Sequence, residues 1–490
     1  MNDQNLYEVN SVNIRIYPAP PEIGYAMSEE RLTEQGNDAF GADPDGVVLS
    51  RDWSLRVGGY DIPVYSAPVT SGGPLSFASF DYADEMGEIT LVARSTQPID
   101  SVTLRPLSLV LQPEVMEQEV RIKVSEPTSF IVEANGDLER PLFITVHAPE
   151  SDVPADGDAN VIYYGPGLHE VSTLELTKDQ TLYIAGGAVL RIRVPEDEVP
   201  IDESDWAKQK VYRDTIVAYG TENITIRGRG IIDLSMLDWH ARKAILIHNC
   251  KRVLIDGLTC VGTSHWTIHL LKSSDCVIRD ITLIGHRENS DGIDIVNSEN
   301  VLVDHCFIRT GDDAVVVKAM EAPPAMGGRN IVVRNCIVWN DKVRCFGITG
   351  ETRTGISNVV FENCDIVHSL AVWTEELGSL CIIVGDSGTI ENIRFDNIRI
   401  EDERRYAMAC LIFKDRWSVD AEAGRIKDIV FRNIHVPAGV PSLFHGFDAE
   451  HRVENIVIEG LFAGGQPIED IEQANFNMNE YVNHIRLTTL

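Results

Sequence analysis

Between Asn289 and Lys318 the chain reads NSDGIDIVNSENVLVDHCFIRTGDDAVVVK. Ile, Val and Phe alternate with polar residues, the pattern of a strand with one face buried. Yet the stretch also carries Asp291, Asp294, Asp312 and Asp313. Asp312 and Asp313 follow Asp291 by 21 and 22 residues, about one coil of a short β repeat. Adjacent parallel strands lie ~4.8 Å apart, so Asp291, Asp312 and Asp313 are expected to meet on neighbouring rungs. Like charges that close raise one another's pKa, a cost that favours a functional role. An Asx turn at TGDD and a calcium site are two other uses of the same residues. Asp294, three residues after Asp291, falls on the opposite face of a regular strand, where it would stabilise a turn.

Carboxyl groups clustered in this way suit acetal hydrolysis. One carboxylic acid, its pKa raised, protonates the departing glycosidic oxygen. A second carboxylate, ~6.5–9.5 Å away in inverting enzymes, activates a water on the other side. No cofactor or metal is called for.

A recurring phrase supplies the scaffold. From about residue 220 come ITIRGR, VLIDGL, CVIRDI, VLVDHC, IVVRNC, VVFENC, IRFDNI, IVFRNI and IVIEGL, ending at Arg229, Leu258, Ile281, Cys306, Cys336, Cys364, Ile398, Ile434 and Leu461. Steps of 23 to 36 residues with a fixed motif mark a solenoid whose insertions sit in loops. No sustained 3.6-residue periodicity appears, so the repeats are β. A right-handed parallel β-helix is expected over 151–490. Cys306, Cys336 and Cys364 would stack in its interior rather than bind metal.

The first 150 residues differ. SVNIRIY, ITLVAR, VTLRPLSLVL, VRIKV, SFIVEA and LFITVHA predict strands from about Val12 to Val146, broken by Gly, Pro and Asp turns. An N-terminal antiparallel β-sandwich over 1–150 follows. APESDVPADGDAN (148–160) is expected to be a hinge, and the strands after it to cap the solenoid's open end.

Composition narrows the partners. With 42 basic and 75 acidic side chains the formal charge is −33, which repels nucleic acid and anionic membranes. No run approaches ~18 apolar residues. Nine cysteines, mostly within apolar strands, point to buried free thiols. The opening MNDQNLYEVNSVNIRIY has no basic and apolar leader pattern, so a cytoplasmic location is expected, with a secreted chain whose signal was removed as the alternative. A carbohydrate substrate is the expected partner, in an oligomeric state that the sequence leaves open.

NSDGIDI…TGDDAVVVK resembles the NTDG…GDD…K signature of glycoside hydrolase family 28, the polygalacturonase family. SHWTIHL (264–270) resembles its SPFWTIH strand one coil earlier. CIVWND…FGITGETR…ISNVVFENCDIVHS is equally similar to the family 49 dextranases of the same clan, as are the N-terminal sandwich and YYGPGLHEV…LYIAGGAVL. Both resemblances imply a right-handed β-helix and an inverting mechanism. By position they imply that Asp312 is the general acid, that Asp291 and Asp313 hold and activate water, and that Lys318 touches sugar or compensates the acids. The chain departs from polygalacturonases at RCFGITGET, where Phe346 precedes Gly347 and the family's GHG histidine is missing. It departs again at LCIIVGD (380–386), which lacks the Arg-x-Lys that grips a uronate. Arg344, Arg353, Lys414 and Arg416 are candidates to replace that pair; without one, a neutral or mixed glycan is expected.

Further groove candidates are His265, Glu351, Asp386 and the loop aromatics Trp373 and Trp417, because indole faces stack on sugars. Trp266 is expected in the core, with His265 pointing the other way. Insertions at 197–213 or 402–425 could close one end of the groove. A calcium-dependent polysaccharide lyase and a non-catalytic glycan-binding solenoid are the competing functions.

Overall fold

The computed structural model describes residues 14–25, 45–83, 87–204, 208–263 and 265–490. The opening segment up to Asn13, including Val12, and Ser264 of SHWTIHL lie outside them. Every regular element among the described residues is a strand. From Val161 onward three short strands recur per coil, for example Ser274–Arg279, Thr282–Gly285 and Ile293–Val296. Each pairs in parallel with its counterpart one coil on: Cys276 with Val301, Leu283 with Ile308 and Ile293 with Val315. The first two faces join as a path of twenty strands and the third face holds eleven. The fold is a right-handed parallel β-helix, filled by stacked Ile, Val, Leu, Cys and Phe side chains.

The recurring phrase now has a physical reason. Its turn between the first and second strands needs one residue with positive φ, which a Cβ penalises. Gly228, Gly257, Asp280, His305, Asn335, Asn363, Asn397, Asn433 and Gly460 fill that place, all with positive φ. Glycine takes it for want of a Cβ; asparagine takes it because its short amide can bond locally. The asparagines bond one another up the stack, Asn363 to Asn335 at 2.7 Å, Asn397 to Asn363 at 2.9 Å and Asn433 to Asn397 at 2.9 Å. The next residue turns inward. Leu258, Ile281, Cys306, Cys336, Cys364, Ile398, Ile434 and Leu461 are all buried there. The first phrase is offset by one: Arg229 leaves the barrel to meet Asp81 at 3.1 Å, and Gly230, one residue before the Ile231–Thr259 pair, takes the position beneath Leu258. All nine cysteines are buried free thiols.

The N-terminal part builds two facing sheets of seven and five strands, packed through Phe80, Phe130, Leu91, Val120 and Ile122. The larger one is mixed rather than antiparallel throughout. Leu75–Tyr82 pairs in parallel with Leu142–His147, Phe77 opposite Phe143, because the chain crosses through the other sheet before returning. Its outer face lies along the flank of the helix. Tyr65, Phe77, Ile131 and Phe143 share a core with Ile231, Ile284, Phe307 and Trp339, and the rings of Phe143 and Phe307 stack at 3.7 Å. An apolar interface of that kind resists swinging, so 148–160 connects rather than hinges. In the 197–213 insertion, Asp202–Glu203 pairs with Lys210–Val211, away from the site described next; 205–207 lie outside the described residues.

Candidate active site

The turn between the second and third strand of each coil carries the chemistry. Thr267 N donates to Asp291 O at 2.7 Å, Gly292 N to Asp313 O at 2.8 Å, and Ala314 N to Arg344 O at 3.0 Å. These bonds place Trp266, Asp291, Asp313 and Arg344 at one rung position on four consecutive coils. Asp291 and Asp313 are thus stacked neighbours, as their spacing predicts. Small residues follow them because the corner is tight: a Cβ on Gly292 would come within 2.4 Å of Ala314 O. Asp312, one residue before the rung, projects into the same pocket. Its carboxylate accepts the backbone N–H of Asn289 at 3.2 Å and of Asp313 at 2.9 Å. Asp291, Asp312 and Asp313 each present an oxygen within 4.8 Å of the others. These are nearest-oxygen separations, of the size that rungs ~4.8 Å apart impose on stacked side chains.

Lys318 neutralises this cluster from inside. Its ammonium lies 2.7 Å from Asp294, 3.2 Å from Asp291 and 3.9 Å from Asp313, and 3.9 Å from the centre of the Trp266 ring. Asp294 therefore faces the acids rather than the opposite wall. The pleat begins only at Ile293, after the Gly292 corner, so counting in twos from Asp291 fails. Asp294 and Lys318 both point outward because Ile293, Ile295, Val315 and Val317 point in. On the far side Arg344 reaches Asp313 at 3.0 Å. Among the described residues no cation lies within ion-pair distance of Asp312.

Burial, then repulsion from Asp291 and Asp313, drives the Asp312 carboxyl well above the usual range. Burial and Asp294 push Asp291 up as well, against the pull of Lys318. Asp313 is raised by burial, with Arg344 and Lys318 opposing. Burial also raises Asp294, to about 6. For Lys318, burial works against the ammonium, yet the surrounding acids outweigh it and hold the proton firmly. Three carboxylates this close could also grip a divalent cation; here Lys318 already provides the compensating charge.

The acids floor a cavity of about 720 Å3, room for a few sugar rings. Its walls place the sequence candidates in two groups. Lys318, His265, Glu351, Trp373 and Arg416 line it, as does Trp417. Glu351 is aimed by a bulge: Val317 pairs with Ile348 but Ala319 with Thr352, so the intervening residues loop toward the pocket. Trp373 and Trp417 are 40% and 39% exposed, and Arg416 rests against both rings, at 5.8 and 4.6 Å. The 402–425 insertion brings Arg416 and Trp417.

Three candidates lie elsewhere. Asp386 is fully buried and accepts the N–H groups of Val419 and Asp420 at 2.6 and 2.8 Å, bracing that loop. Arg353 pairs with Asp420 at 3.0 Å. The Lys414 ammonium is spent on the carbonyls of Gly385, Asp420 and Glu422. Of the cations proposed to replace the missing Arg-x-Lys, only Arg344 and Arg416 reach the cavity, and Arg344 is held by Asp313. Phe346, at the place of the missing histidine, points into the core.

Trp266 is not a core residue. It precedes the strand Ile268–Leu271 and lines the cavity beside His265, so the two do not point to opposite faces. His240 also belongs to the wall; it stacks on His265 at 4.6 Å and bonds the Asn289 side chain at 3.0 Å. Burial first, then Lys243, keeps His265 well below its ordinary value; it enters as a neutral ring. Asn289 was visible beside the acidic motif, whereas nothing in LDWHARK marks His240.

The model for Glycosyl hydrolases family 28 matches residues 202–439, a little under half of the chain. Among curated sequences it is similar to a probable polygalacturonase of Arabidopsis thaliana, 24% identical over 35% of this chain and 39% of that one. It is also similar to a probable exopolygalacturonase B of Aspergillus flavus, 23% identical over 41% of this chain and 51% of that one. The chain thus spans about half or less of the length of these relatives. Dex49A from Penicillium minioluteum shares the fold end to end, with a TM-score of 0.59, 13% identity, and 97% and 99% of the two chains covered.

Proposed function

We propose that this protein hydrolyses glycosidic bonds of a polysaccharide or oligosaccharide, pectin-like or dextran-like, with inversion at the anomeric carbon. Asp312 donates the proton to the leaving oxygen; Asp291 and Asp313 hold and activate the water. The observation that carries this division is the distribution of cations. Asp291 has Lys318 and Asp313 has Arg344, while Asp312 has only backbone N–H partners. A proton retained by the crowded trio is therefore assigned to Asp312, the member without a cation, and the cation-paired acids are assigned the role of bases. Trp373, Trp417 and His265 offer faces for sugar rings.

The same pairing weakens the lyase reading. Removing a C5 proton needs a basic Arg or Lys beside the acids; Lys318 and Arg344 there are both engaged by them, and Arg416, without an ion pair to a described residue, rests against the Trp373 and Trp417 rings. The test is a reducing-sugar screen over pectic, dextran-type and other glycans, followed by proton NMR of the first product. The inverted anomer supports the proposal; a retained anomer contradicts the roles given to Asp291 and Asp313.

A further inference from the structure

We propose that Thr70 and Ser71, in the turn between strands Tyr65–Ala67 and Leu75–Tyr82 of the N-terminal sheets, are positioning residues for the Asp312–Asp313 turn. The inference rests on the catalytic reading of Asp312 given above. It gives the sandwich a part in catalysis beyond covering the flank of the helix.

Two contacts carry it. The first is steric. Thr70 sits directly over Gly311, the residue before Asp312: a Cβ there would fall 2.0 Å from Thr70 Oγ1 and 2.6 Å from Arg287 O. The turn is thus clamped between the sandwich and its own preceding coil, with no room for a side chain. Thr70 Oγ1 is buried with no hydrogen-bond partner, so the hydroxyl is held there by packing rather than by a bond of its own.

The second is polar. Ser71 N donates to Asp341 Oδ2 at 3.3 Å, and Ser71 O accepts Arg309 Nη2 at 2.9 Å. Arg309 and Asp341, 1% and 0% exposed, pair with each other at 3.2 Å through two nitrogens. Both are chain neighbours of residues that fix the acid. Asp341 N bonds Thr310 O at 2.9 Å. Asn340 Nδ2 donates to Asp312 O at 2.5 Å, and Thr310 Oγ1 donates to the same oxygen at 2.8 Å. Displacing the 70–71 turn frees one side of this frame and lets Asp312 shift relative to its neighbours, and a misplacement of ~1 Å can cost about a hundredfold in rate.

The experiment compares Thr70→Gly with Asp81→Asn, which weakens the same interface several coils away at the Asp81–Arg229 pair. Thr70→Gly is expected to lower kcat ten- to hundredfold with KM within twofold. It should also move the basic limb of the pH profile to lower pH, since a loosened turn admits water to a buried acid. Asp81→Asn is expected to lower the melting temperature while leaving kcat and both limbs in place. Wild-type kcat and pH profile in Thr70→Gly, or an equal loss in Asp81→Asn, overturns the proposal. Should Thr70→Gly fail to fold, Asp341→Asn is measured in its place, with the same expected loss and the same overturning result. Asp312→Asn runs alongside. If it is inactive while Thr70→Gly behaves as wild type, only this inference falls; if it is active, the catalytic reading falls with it.

Discussion

Lys318 and Asp294 meet at 2.7 Å beneath the acid trio, both buried, and that pair sets the electrostatics of the pocket above it. A buried ammonium with three carboxylate neighbours makes the crowding tolerable, and it leaves Asp312 as the member without a cation. Breaking a buried pair strands charge at a cost of about 3–5 kcal/mol. Lys318→Met is therefore expected to lower stability by that order and to abolish activity, read by thermal melting and by turnover on the same preparation.

Asp312→Asn removes the proposed proton donor but keeps its size. The expected loss in kcat is about 10²–10⁴-fold, with KM changed by less than threefold and the melting temperature nearly unchanged, because a neutral amide replaces a protonated carboxyl of the same size. Steady-state kinetics with calorimetry checks both. Unimpaired turnover would sink the assignment.

Asp294 gives the sign of a pH effect. Its negative charge is, after burial, the largest influence raising Asp291. Asp294→Asn removes that repulsion and leaves Lys318 closer in effect to Asp291, so Asp291 ionises at lower pH. The acidic limb of kcat/KM should shift downward while the basic limb, which reports Asp312, stays nearly fixed. An upward shift would contradict the charge arrangement.

The β-helix and the acid trio were legible in the sequence for related reasons. A residue forced to positive φ must be Gly, Asn, Asp or His, so the turn repeats in type even when its spacing stretches. Acids one coil apart must then stack. The parity of Asp294 and the exposure of Trp266 were not legible, because both readings assumed a regular pleat where the chain turns a corner. Asp386, Arg353 and Lys414 were misplaced for another reason. A charged residue near a groove can spend its charge on loop carbonyls and N–H groups, and only coordinates show where it is spent. The sandwich was visible as strands; its docking along Phe307 and Trp339 was not, since apolar residues on an outer helix face look like any strand.

The groove's charge predicts its preference. Asp291, Asp312, Asp313, Glu351, Glu376 and Asp415 line it against Lys318, Arg344 and Arg416, and only Arg416 among these cations lacks an ion pair with a described residue. Neutral or esterified oligosaccharides are expected to show higher kcat/KM than free uronates of equal length. Trp417→Ala should raise KM about two- to twelvefold, since ring stacking is worth ~0.5–1.5 kcal/mol. A clear preference for the free acid form would reverse the first expectation.

His368 makes the docking of the sandwich sensitive to pH. The imidazole is buried between Glu133 at 2.6 Å and Asp402 at 3.0 Å. Burial disfavours its charge, but the bonds to Asp402 and Glu133 outweigh that and raise its pKa above the ordinary value. A raised histidine stabilises the fold fully below its unfolded value, ~6.5, and that contribution is lost as pH climbs through the folded value. Arg105 stays paired with Glu133 at 2.8 Å throughout, so the loss is partial rather than complete. The melting temperature of the wild type is expected to fall between pH 6.5 and the mildly alkaline range by more than that of His368→Gln, which cannot titrate. Parallel curves for the two proteins would show that the imidazolium does not hold the two parts together, and would leave the shared core of Phe143, Phe307 and Trp339 as the main bond between them.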